Sequence, residues 1–144
     1  LFLMSARLVA STGRPVLLHG WNSHLTHPAS TVAGVEALGI PIARDARAAA
    51  AALAEDGVAY APLDALNAEA LRLLRLREVL GLRSPINTAL RAMNPGAAPA
   101  TAQGVFHPSY RALQADAARL LGQQAMGAIK GGGGKGGPGF VEHL

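Results

Sequence analysis

Helical stretches in this chain run one after another into a glycine, and short apolar runs stand between them. Residues 2–12 read as a helix stopped by Gly13, 31–38 by Gly39, 45–56 by Gly57, 64–80 by Gly81 and 110–121 by Gly122. A glycine just past the last periodic residue is a helix stop. The runs Pro15 to His19, Val58 to Ala61, Ala102 to Phe106 and Ala125 to Ile129 are too short for helices and lie between turn formers, so they read as strands. Strands alternating with helices at this spacing restrict the chain to an α/β fold, an open, mainly parallel sheet flanked by helices. Ser30 or Thr31, Asp45 and Asp64 are the expected helix caps. A shorter helical piece, 87–93, ends at Asn94-Pro95, and 96–100 reads as a linker.

The expected layout is one α/β domain over residues 1–130 and a flexible glycine-rich tail over 131–144, which begins GGGGKGGPG. With 144 residues, half of them apolar, the chain can bury a core, and the scarcity of aromatics makes that core aliphatic. There is no cysteine, which excludes disulfides and thiolate chemistry. Basic residues outnumber acidic ones by 13 to 9, which favours anionic partners such as phosphates or nucleic acid. No apolar run is long enough to span a membrane.

The helix over 64–80 carries a discordant residue. At about 100° per residue, Leu66, Ala70, Leu73 and Leu80 share an apolar face, and Arg77 projects from the middle of it. Arg72, Arg75 and Glu78 point to the other side. A core-facing arginine is costly unless its charge is compensated. Arg77 therefore snorkels to the surface, meets a carboxylate, or lines a cleft that receives an anion.

The segment that starts at Arg77, REVLGLRSPINTALRAMNP, resembles a signature of the anthranilate phosphoribosyltransferase-like proteins, the family 3 glycosyl transferases. That signature has the form P-V-R-x-x-L-G-x-R-T-x-F-N-x-L-G-P-L-x-N-P. Arg77, Leu80, Arg83, Asn87, Asn94 and Pro95 match it, whereas Leu90 and Arg91 replace its Gly-Pro. Leu18-His19-Gly20 resembles the K-H-G that opens the loop holding phosphoribosyl pyrophosphate, with leucine in place of lysine. Asn22 stands for the loop's asparagine if one residue is inserted. Glu36 to Ile40, Val58 to Pro62, Gly104 to Pro108 and Ala128 to Gly133 resemble further family segments, read as L-E-A-L-G-I, F-x-F-A-P, G-V-Y-S-P and V-V-H-G-x-G.

The resemblance implies the catalytic-domain fold of the phosphoribosyltransferases without their N-terminal helical domain. It implies a pentosyl transfer from phosphoribosyl pyrophosphate to an aromatic acid, with Arg77 toward the acid and His19, Gly20, Asn22 and Asn87 as further substrate contacts. It also implies a cytoplasmic location, a homodimer and magnesium as cofactor. However, Lys135-Gly136 occupies the place of the Asp-Glu pair that ligates the cation. The family's glycine-rich G-T-G-G-D loop would lie before Leu1. The expectation is thus a fragment with weak or lost catalysis. The alternative is a non-catalytic binder of DNA or RNA on the same fold, because IKGGGG and GVFHPSYRAL look closer to a nucleic-acid-binding branch. Lys130 and Lys135 would then make the contacts.

Other motifs carry less. Lys135 lacks the serine or threonine and the helix that a P-loop requires. His19, His24 and His27 have no carboxylate or cysteine at ligand spacing, so no metal site is assigned to them. Trp21 reads as a cover for apolar surface, with stacking on a ring as the functional alternative. Tyr110, Leu113, Ala117, Leu120 and Leu121 read as a core face, and Arg111 and Arg119 as solvated.

Overall fold

The computed structural model describes residues 2–21, 30–82, 84–105, 107–130 and 141–143. Contacts gather into two units, Leu1–Ile86 and Asn87–Leu144. The sequence reading placed a single domain over 1–130 and a linker at 96–100, yet the division falls inside a short helix. Among the described residues, no helix is long and apolar enough to cross a membrane.

The first unit runs α1 (Phe2–Ala10), β1 (Val16–Gly20), α2 (Thr31–Ala37), α3 (Ala46–Glu55), β2 (Val58–Pro62), α4 (Leu63–Leu66) and α5 (Ala68–Leu80). β1 and β2 pair in parallel, from Val16 opposite Val58 to Gly20 opposite Pro62. On the other side of β2 the extended segment 41–43 adds a third parallel stretch. Ile42 bridges to Tyr60, the Tyr60 N–H donates to Pro41 O and the Ala43 N–H to Tyr60 O, both at 2.8 Å. β2 is therefore central, and its run Val58, Ala59, Tyr60 and Ala61 is wholly buried. Continuous apolar sequence is what a parallel strand covered on both faces requires. Leu3, Val35 and Ile40 close the core around Val58 and Tyr60.

Asp45 caps α3 as expected, its carboxylate accepting from the Ala48 N–H at 2.8 Å, and Ser30 caps α2. Asp64 does not cap the long helix. Residues 63–66 form a separate turn, and Asn67, extended at φ −160°, starts α5 by accepting from the Ala70 N–H. Asparagine caps as well as aspartate, so composition could not choose between them. Gly81 ends α5 in the left-handed conformation at φ 68°. At the end of α2, the Arg7 guanidinium of α1 donates to the carbonyls of Leu38 and Gly39, supplying partners the helix cannot.

The apolar face of α5 differs from the wheel reading. Leu74 is its buried residue, with Ala70, Leu71 and Arg77 half-buried beside it, while Leu73 and Leu80 are exposed. α5 mixes leucine and arginine all round, so its pattern defined the inner face weakly.

The second unit holds α6 (Ile86–Ala89, begun in the first unit), a 3-10 turn (Leu90–Ala92), β3 (Ala100–Val105), α7 (Ser109–Leu120), β4 (Ala125–Lys130) and β5 (Val141–His143). β3 and β4 pair in parallel, and β5 joins β4 antiparallel. Residues 131–140 lie outside the described set. Within the stretch 131–144, Val141–His143 pairs with the edge of β4 through its backbone groups. The α/β class holds in both units, but the parallel strands form two sheets.

α7 is turned from its expected face. Leu113, Leu120 and Leu121 are exposed, whereas Gln114 and Ala118 are buried against Met126 and Ala128, and Arg111 is half-buried rather than solvated. The Gln103 side chain lies on the sheet face under the helix and donates to Gln114 Oε1 at 3.0 Å. A buried amide left unpaired costs about 1–3 kcal/mol, which opposes a rotation that would bring leucines inward. Gln114→Leu is expected to cost about 1–3 kcal/mol, and adding Gln103→Leu to recover most of it. Equal losses in the single and double variants by urea denaturation would contradict this account of the helix's orientation.

Candidate functional site

In open parallel sheets, ligands collect at the carboxyl ends of the strands. In the first unit that edge carries a cleft of about 310 Å³. Gly20 and Trp21 reach it from the end of β1, Pro62 and Asp64 from the end of β2, and Arg44 from the end of the segment beside β2. Leu71 and Arg75, one helical turn apart on α5, close another side, and Tyr60 forms part of the wall.

The Tyr60 hydroxyl donates to Gly20 O at 3.2 Å, fixing the strand end from which the substrate-loop resemblance continues. Burial raises the Tyr60 pKa above its ordinary 10.0, and the nearby negative charge of Asp64 raises it further. Arg44 stands 3.5 Å from Asp64, and Arg75 is 3.6 Å from Glu78. Both pairs are solvent-exposed and long. Among the described lining residues two guanidiniums stand beside one carboxylate, and Glu78 pairs with Arg75 from outside the lining.

The second unit has a larger cleft of about 590 Å³, at the amino ends of β3 and β4. Asn94 and Gln123 on its lining are engaged in holding the chain. The Asn94 amide makes two 2.8 Å bonds to the Ala98 backbone, and Gln123 is fixed between Thr101 and Ala92 O. This accounts for Asn94 in the signature segment as a turn former.

Of the residues singled out in the sequence, Gly20 lines the first cleft. His19, half-buried on β1, is the register partner of Ala61. Arg77 is half-buried and makes no side-chain hydrogen bond or ion pair among the described residues; it is absent from the cleft lining, where Arg75 stands instead. Arg75 thus faces the cleft, not the far side assigned to it. Asn87 is half-buried on α6 and belongs to the second unit, and Lys130 is the last residue of β4, opposite Val105. Asn22, His24, His27, Arg83 and Lys135 lie outside the described residues. Sequence reasoning missed Arg44, Tyr60, Asp64 and Arg75. The one available signal was the apolar Ile40-Pro41-Ile42-Ala43 run ahead of Arg44.

The donor set does not fit magnesium. That ion needs several oxygen ligands in near-octahedral array, whereas among the described lining residues Asp64 is the one carboxylate, beside two arginines. Among the described residues, no three histidines, cysteines or carboxylates cluster as metal ligands.

No family model matches the chain. Its sequence is similar to anthranilate phosphoribosyltransferases: it is 30% identical over 119 residues to that of Stenotrophomonas maltophilia (strain R551-3), covering 81% of this chain and 34% of the relative. It is 28% identical over 124 residues to that of Burkholderia cenocepacia (strain HI2424), covering 86% of this chain and 36% of the relative. The chain spans about a third of the length of the curated relatives it matches. The likeness is partial and divergent.

Tyr60 gives the site a pH signature. Because its folded pKa is raised, its contribution to stability is fully present below pH 10 and is lost as pH climbs through the folded value. Thermal melts should therefore decline above pH 10 in the wild type and decline less steeply in Tyr60→Phe. Parallel declines would contradict a buried, neutral Tyr60.

Proposed function

We propose that this chain is the part of a phosphoribosyltransferase-like protein that binds a phosphorylated ribosyl donor, with weak or no transfer activity by itself. The observation that carries this reading is the cleft at the carboxyl ends of parallel strands, lined by Arg44 and Arg75, whose wall includes Gly20 of the His-Gly pair. The similarity to anthranilate phosphoribosyltransferases supports phosphoribosyl pyrophosphate as donor and anthranilate as acceptor. Arg77 is assigned to the acceptor's carboxylate, since a half-buried guanidinium without a partner among the described residues is best compensated by a bound anion. His19 and Asn22 are proposed as further substrate contacts of the first unit; Asn87, in the second unit, is proposed as a substrate contact on the resemblance alone. Weak transfer follows from the Lys135-Gly136 substitution and from a cleft whose charges oppose a cation.

Calorimetric titration of the chain with phosphoribosyl pyrophosphate tests this. Saturable binding is expected, with Arg77→Ala keeping donor affinity and losing anthranilate affinity about tenfold or more. Absence of donor binding, together with salt-sensitive binding to single-stranded DNA that is lost in the Lys130→Ala/Lys135→Ala double variant, would replace this reading with the nucleic-acid one.

A further inference from the structure

We infer that the cleft at the ends of β1 and β2 holds a phosphate or diphosphate group directly through Arg44 and Arg75, without a divalent cation between protein and ligand. This rests on the reading of the chain as a binder of a phosphorylated sugar, and goes beyond it by replacing the metal with two side chains.

Among the described residues of this unit, Arg72, which is not on the cleft lining, pairs with Glu69 at 2.8 Å on the exposed surface. The two arginines on the cleft lining have long pairs, Arg44 to Asp64 at 3.5 Å and Arg75 to Glu78 at 3.6 Å, and all four side chains remain substantially exposed. Long exposed pairs contribute little, about 0–1 kcal/mol. Exchanging such a partner for a ligand phosphate therefore costs little. A guanidinium stays charged at any working pH and meets a phosphate with two parallel hydrogen bonds.

Placement adds to this. Arg44 is carried to the cleft by the segment that pairs with Tyr60, and Arg75 by the α5 turn that follows Leu71. The two charges thus come from different elements of a fixed frame. Phosphate bound there would be neutralised as a cation would neutralise it, while Asp64 remains to accept hydrogen bonds from sugar hydroxyls. A cleft of about 310 Å³ is at the small end of ligand sites, in keeping with a phosphorylated pentose.

The test is titration of the whole 144-residue chain with phosphoribosyl pyrophosphate, once in EDTA and once in excess magnesium. Wild-type affinity should be alike in the two media. Arg44→Gln and Arg75→Gln should each weaken it roughly ten- to hundredfold in EDTA. Arg72→Gln makes the same change of charge outside the cleft and should bind as wild type. Circular dichroism melts check that each variant is folded. Affinity that appears only with magnesium, or that survives both cleft substitutions, or that falls equally in Arg72→Gln, overturns the inference while leaving the donor-binding reading standing. Absence of affinity in both media overturns both.

Discussion

The first unit depends on satisfying one buried strand along both of its edges. β2 has no side open to water, so its N–H and C=O groups need partners within the protein. β1 supplies them along one edge, and the segment 41–43 supplies them at Tyr60 on the other. Tyr60 also extends its hydroxyl to Gly20 O. A single residue therefore joins three neighbouring stretches, and each stretch ends at the cleft. The positions of Arg44, Asp64 and Gly20 are consequences of pairing that the core itself enforces. Arg7 does similar work at a distance by meeting the carbonyls of Leu38 and Gly39, just past the end of α2.

Electrostatics then decides what the cleft can hold. Around these strand ends stand two guanidiniums, Arg44 and Arg75, each with a long, exposed carboxylate partner. A site of this kind favours anions whether or not a cation is present. It provides binding without the oxygen ligands that metal-assisted transfer requires.

Element order was readable in the sequence because glycine stops and apolar runs are local signals. Asp45 capped α3 for the same reason. Side-chain direction was less readable. In α5, arginines and leucines alternate with no clean period, and the inner face centres on Leu74 and not on Leu73 or Leu80. In α7 the apolar stripe is regular but faces out, because a buried glutamine pair holds the helix from within. Arg75 was assigned outward for the same lack of pattern, and Arg44 went unnoticed because its segment becomes extended only by pairing with β2. Tertiary pairing is absent from any window of sequence, which is why the cleft's charged residues emerged only from the fold.

The most direct measurement is a nuclear magnetic resonance titration of the labelled chain with ribose 5-phosphate in metal-free buffer, following backbone amides and arginine Nε–H groups. The expected result is a set of saturable shifts centred on Gly20, Trp21, Asp64 and the guanidinium groups of Arg44 and Arg75. Shifts centred on β3, β4 and α7, or none at concentrations of several millimolar, would contradict it.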